Sequence, residues 1–177
     1  MKILVLQGSP HKKGSSNLLA SEFIKGAKEN NHQVEIFDVA HANLHPCLGC
    51  DYCNMSGPCV QKDDMSELKE IIIDSDVLVF VTPLYYFGMS AQLKIMVDRF
   101  YSFNGYLTSL HKKAVLIGAA WNSASDTMDD LASHYQTICD YLSFDNLGMV
   151  LGLGCGTVSM TQRTKYMDEA YRLGKSI

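Results

Sequence analysis

The chain has 177 residues, of which 47% are hydrophobic and 19% charged, and it carries a net charge of −4 at neutral pH. That length favours a single domain over residues 1–177 with a core that folds without staples, and the mild acidity argues against a nucleic-acid or acidic-membrane surface as partner. No apolar run approaches the ~20 residues of a membrane helix, and only four apolar residues, Ile3 to Leu6, follow Lys2. No secretory leader is therefore expected, and a cytoplasmic location is. In that reducing compartment the six cysteines point to ligands or reactive thiols, not to structural disulfides.

In chain order, Lys2–Gln7 is a short apolar run that stops at Gly8-Ser9-Pro10, the pattern of a buried parallel strand. Ser15–Asn30 places Leu19, Phe23 and Ala27 at four-residue spacing and predicts an amphipathic helix capped by Ser15 or Ser16. Gln33–Asp38 reads as the second strand. Met65, Leu68, Ile71 and Ile72 share a stripe that predicts a helix over 65–73, with Asp63 or Asp64 as cap. Asp76–Thr82 is the third strand and ends at Pro83. Leu93, Met96, Val97 and Phe100 mark the next helix, in which Asp98-Arg99 reads as an intrahelix or interface charge pair. Lys113–Trp121 is a fourth strand, Met128 to Leu142 a helix, Asn146–Leu153 a fifth strand and Arg163–Leu173 a closing helix.

Strict β-α alternation implies right-handed crossovers and a parallel sheet covered on both faces. The expected fold is α/β, a flavodoxin-like three-layer sandwich whose five parallel strands run in the order 2-1-3-4-5. One connection is out of proportion. From about residue 39 to 62 the chain runs without periodicity, longer than connections that lack a function usually are.

Ligands of such sheets sit beyond the carboxyl ends of the strands, where strand order reverses. The loop from Gly8 to Asn17 would lie there. Ser9, Ser15 and Ser16 offer hydroxyls, Asn17 an amide, a helix N-terminus its free N–H groups, and His11, Lys12 and Lys13 positive charge, which together suit a phosphate. Gly14 is followed by Ser15, not Lys, and Gly8 and Gly14 are six apart, so neither a Walker loop nor a dinucleotide fingerprint is present. After the third strand, Pro83-Leu84-Tyr85-Tyr86-Phe87 supplies rings for a flat aromatic ligand, and Ala120-Trp121 after the fourth strand forms a further wall. A phosphate loop beside an aromatic shelf fits FMN better than ATP.

All four clustered cysteines, Cys47, Cys50, Cys53 and Cys59, fall in the long loop. The repeat of three lets a looping backbone turn three sulfurs to one centre, and the Gly57-Pro58 bend brings back a fourth. Spacing alone leaves a 4Fe–4S cluster, a tetrahedral zinc and unligated thiols all open, with the compact run leaning toward iron. Cys139 and Cys155 read as core residues.

The chain resembles the NAD(P)H-dependent FMN reductases of flavodoxin-like fold. The likeness is carried by Gly8-Ser9-Pro10 with Gly14-Ser15-Ser16-Asn17, by Pro83-Leu84-Tyr85-Tyr86, and by Gln92-Leu93-Lys94 leading to Asp98-Arg99. The cysteine run, between Pro46 and Asp63-Asp64-Met65, is similar to the compact motif of the iron–sulfur flavoproteins. The resemblance implies an FMN phosphate held by Ser9, Ser15, Ser16 and Asn17. His11 stands where the family commonly has arginine, and Pro83 to Phe87 would line the ribityl chain and ring. It implies hydride transfer from NAD(P)H to bound FMN and on to a small-molecule electron acceptor such as a quinone or free flavin. The alternative it carries is an electron carrier working between FMN and a 4Fe–4S cluster. A homodimer or homotetramer is expected.

Overall fold

The computed structural model describes residues 1–177. A parallel sheet in the order β2-β1-β3-β4-β5 is built from β1 (Lys2–Gln7), β2 (Gln33–Phe37), β3 (Val77–Pro83), β4 (Lys113–Ala119) and β5 (Asp145–Gly152). The expected fold class and strand order are the ones observed, and strand ends differ from expectation by one or two residues. Strand β3 is buried along Val77–Thr82, as a strand covered on both faces must be, whereas β2 is a partly exposed edge.

Alternation along the strands separates two cores. Ile3 and Val5 of β1 face α1 (Ser15–Glu29) and α7 (Tyr166–Ser176). Leu4 and Leu6 face the opposite layer of α2 (Met65–Asp74), α3 (Ala91–Asp98) and α5 (Asp129–Leu142). Three short elements have no counterpart in the periodicity: a 3-10 turn at Arg99–Phe103 with α4 (Asn104–Ser109) directly after it, and α6 (Val158–Thr161). The closing helix accordingly begins at Tyr166, not Arg163. No helix is long and apolar enough to cross a membrane.

Helices α1 and α7 meet backbone to backbone. A Cβ on Gly174 would lie 2.0 Å from the Phe23 carbonyl oxygen, and one on Gly26 would lie 2.1 Å from that of Tyr171. Neither contact has a flexible side chain to give way, so a methyl there must lift one helix off the other. Gly174→Ala should therefore cost about 1–3 kcal/mol through overpacking, despite alanine's better helix propensity. Thermal unfolding should show the melting point falling by at least about 3 °C, and an unchanged or higher value would refute the close crossing.

Candidate functional site

A crevice of about 620 Å³ opens beyond the carboxyl edge of the sheet, a volume typical of small-ligand sites. Four segments wall it: Ser9 to Ser16 after β1, Pro83 to Tyr85 from the last residue of β3 onward, Ala119 and Trp121 at and just beyond the end of β4, and Cys155 to Val158 after β5.

The first loop is pinned by Ser90, the N-cap of α3. Its Oγ donates to the Gly8 carbonyl at 2.6 Å and accepts from Leu93 N at 3.3 Å, and its N–H donates to Thr82 Oγ1 at 2.8 Å. Gly8 N in turn donates to Val81 O at 2.8 Å. Only glycine permits this approach, because a Cβ at position 8 would sit 2.6 Å from Leu93 Cβ. The loop then delivers the chain into α1, whose first helical bond runs from Leu18 N to Gly14 O at 3.0 Å. The N–H groups of Ser15, Ser16 and Asn17 precede that bond and point out of the helix end. Gly14 stands at the N-cap, where a serine was expected, and has no side chain to cover them.

Ser16 is 2% exposed and its Oγ has no partner in the protein. A buried hydroxyl at an open helix N-terminus is a donor set for an anion. Ser9 Oγ accepts from His11 N at 3.2 Å and shapes the loop. Asn17 does not line the crevice: its Nδ2 donates to His11 O at 3.3 Å and Lys12 O at 3.1 Å, and so props the loop from behind. Lys12 forms a 3.5 Å surface pair with Asp38 that contributes little.

The aromatic residues divide. Tyr85 lines the crevice, but Tyr86 and Phe87 turn away from it at the tip of a hairpin closed by Tyr85 N to Gly88 O at 3.0 Å and Gly88 N to Tyr85 O at 3.1 Å. Their φ values of 47° and 64° put both in the left-handed region, and Tyr86 is fully solvent-exposed. Ala120 is buried beneath the wall, and Trp121 lies across Gly156, where a Cβ would come within 2.4 Å of the indole Cε3. The fourth wall, Cys155 to Val158, went unassigned from sequence, although the run Gly152 to Thr157 follows a strand end and Thr157 caps α6 through Met160 N. Cys155 is buried as expected yet also faces the crevice.

The other feature is the cysteine loop. Cys47, Cys50, Cys53 and Cys59 line one cavity together with Arg99 and Tyr101. Its volume is about 20 Å³, room for roughly one water, and no three Cys, His, Asp or Glu side chains converge as a metal-ligand set. The donor chemistry, four thiols on one cavity, fits a thiolate-ligated metal centre. The space, room for about one water, does not.

Arg99 does not pair with Asp98, so the two do not form the expected pair within the helix. Asp98 takes Lys94 at 2.5 Å. Arg99 is 2% exposed and reaches across to Asp63, Nη1 to Oδ2 at 2.6 Å and Nη2 to Oδ1 at 3.0 Å, with a further bond from Nη1 to His45 O at 2.8 Å. Burial opposes the Asp63 charge, but the Arg99 fork and the His45 and Met65 N–H donors outweigh it and hold the carboxyl at about 2 instead of 3.8. The cysteine segment thus hangs between His45 and Asp63, both tied to one guanidinium.

Residues 1–146 match the family described as NADPH-dependent FMN reductase. The chain is 33% identical over 129 residues to iron-sulfur flavoprotein MJ1083 of Methanocaldococcus jannaschii, which covers 72% of this chain and 67% of that protein. It is 34% identical over 99 residues to an iron-sulfur flavoprotein of Archaeoglobus fulgidus, covering 56% of this chain and 45% of the relative. This chain thus spans about half the length of that relative. Among solved structures, the NAD(P)H:quinone oxidoreductase from Methanothermobacter marburgensis superposes with a TM-score of 0.80 at 22% identity over 99% of this chain and 95% of that one, a likeness of fold.

The depressed carboxyl of Asp63 sets an acid dependence. Its stabilisation is full above the unfolded value near 3.8 and is lost as pH falls through about 2, a total of roughly 2–3 kcal/mol. Asp63→Asn strands a buried guanidinium and should cost about 3–5 kcal/mol at pH 7. Urea midpoints should show the gap between wild type and variant shrinking by about 1 kcal/mol at pH 3; a gap independent of pH would contradict the ion pair.

Proposed function

The chain belongs to the NADPH-dependent FMN reductase family, and we propose that its crevice binds FMN, accepts hydride from NAD(P)H on the bound flavin and passes the electrons to a small acceptor such as a quinone or free flavin. The observation that carries this reading is the buried, unpartnered Ser16 hydroxyl beside the uncapped N-terminus of α1. FMN would supply the redox chemistry when bound. Ser9, Ser15, Ser16 and the first N–H groups of α1 receive its phosphate, with His11, Lys12 and Lys13 adding positive charge along the loop. Pro83, Leu84 and Tyr85 on one side and Trp121 on the other border the ring. Trp121 is well exposed, so the crevice stays open on that side for a nicotinamide to approach. No side chain is required as an acid or base for hydride transfer itself.

A second reading has its own support. The four cysteines share one cavity, and two relatives carry the name iron-sulfur flavoprotein. In that reading Cys47, Cys50, Cys53 and Cys59 hold a 4Fe–4S cluster, and the protein moves electrons between it and FMN. Assembly as a homodimer or homotetramer belongs to both readings. The outward rings of Tyr86 and Phe87 supply apolar surface for it.

Ser16→Ala removes a donor to a charged group, worth about 1.5–3 kcal/mol, so FMN affinity should fall about 10- to 100-fold. The unliganded protein should melt as the wild type does, because the hydroxyl has no partner to lose. Titration of apoprotein with FMN, read by quenching of flavin fluorescence, measures the first effect. Equal affinities would remove the phosphate assignment.

A further inference from the structure

The four clustered thiols line a cavity with room for about one water, and no metal-ligand set converges there. Thiols that enclose so little space retain one chemistry that needs none, because a sulfur–sulfur bond of about 2 Å holds no guest between its atoms. Two of the four, Cys47 and Cys50, are exposed, whereas Cys53 and Cys59 are half-buried. Only Leu48 and Gly49 separate the exposed pair, which is the C-x-x-C spacing of dithiol redox motifs.

The fold holds this pair between two fixed points. Just before Cys47, the Pro46 carbonyl accepts from Gln61 Nε2 at 2.6 Å, and His45 N donates to Asp63 Oδ2 at 3.0 Å. Just after Cys50, Asp51 Oδ1 accepts from the Tyr101 hydroxyl at 2.8 Å. Between them the backbone has room: Leu48 is exposed, Gly49 sits at a φ of 62°, and a Cβ on Gly49 would meet nothing within 4 Å. The Cys47 sulfur already lies over this stretch and accepts from Gly49 N at 3.5 Å. Cys53 is committed elsewhere, since its carbonyl closes a turn with Ser56 N at 3.1 Å and Gly57 N at 2.7 Å. Cys59 follows that turn.

We propose that Cys47 and Cys50 are a reversible dithiol–disulfide pair that exchanges with low-molecular-weight disulfides such as glutathione disulfide. One thiolate of the pair attacks a sulfur of the small disulfide, forms a mixed disulfide and expels one thiolate. The second protein thiolate then attacks the first protein sulfur, closes the bridge and expels the other. Two protein thiols give up two electrons and two protons, and one glutathione disulfide takes them up as two thiols. The bridge closes within a stretch that no helix or strand uses, so both fixed points persist. The exchange is independent of flavin binding, and a cluster on the same sulfurs would preclude it.

The test uses the full chain, reduced with dithiothreitol, desalted anaerobically and incubated with excess glutathione disulfide. Remaining thiols are then alkylated with N-ethylmaleimide in denaturant. All four loop cysteines fall in one tryptic peptide, residues 29–62, whose tandem mass spectrum reads the label at each position. Alkylation of Cys47 and Cys50 should fall together by about tenfold or more, with Cys53 and Cys59 still labelled, and dithiothreitol should restore both. In Cys50→Ser the reaction should stop at a glutathione adduct on Cys47. Full alkylation of the pair, a bridge that includes Cys53 or Cys59, or a Cys50→Ser protein without the adduct would overturn the proposal. Iron and sulfide bound by the four cysteines in anaerobically purified protein would overturn it too, and metal analysis of the same sample identifies that outcome.

Discussion

The crevice depends on one buried serine. The N–H of Ser90 donates back to Thr82 Oγ1, while its Oγ accepts from Leu93 N and donates to the Gly8 carbonyl, so backbone and side chain of a single residue together tie the start of α3, the end of β3 and the loop that enters α1. All of its partners are buried, where a hydrogen bond is strong and its loss expensive. The absence of a side chain at Gly8 is the steric condition for that approach. The open N-terminus of α1 and the aromatic wall are therefore set against each other by the core, and the position of neither depends on loop packing alone.

A second anchor works at the other end of the long connection. The Asp63–Arg99 pair, with the His45 carbonyl, closes the base of the cysteine segment. The segment itself holds no helix or strand, and Gly49, Asp51, Asn54 and Met55 all sit at positive φ. Its ends are rigid and its middle is governed by local turns.

The sheet was legible in the sequence because its strands are continuous apolar runs ending in Gly or Pro, and its order followed from strict alternation with helices. The position of the first crevice loop was legible because serine, glycine and a helix start coincide at one strand end. What was not legible has physical causes. Asn17 and Ser16 are adjacent and both polar, yet one props the loop and the other faces the crevice, a distinction made by helix phase and not by residue type. Tyr85 and Tyr86 are identical and adjacent, yet at a two-residue hairpin only Tyr85 lines the crevice while Tyr86 is fully exposed. Arg99 lies beside Asp98 in sequence but 36 residues from its partner Asp63, and no local pattern encodes that reach.

The hairpin tip has a thermodynamic meaning of its own. Two-residue turns with both central residues at positive φ are the province of Asn-Gly and its kin, and placing Tyr86 and Phe87 there costs on the order of 1–3 kcal/mol each. A fold whose whole margin is about 5–15 kcal/mol gives up a noticeable part of it at a site where neither ring gains burial within the chain. Drift governed by folding alone would erase those aromatics, so their retention in any lineage would measure how strongly selection acts on something outside the folded monomer.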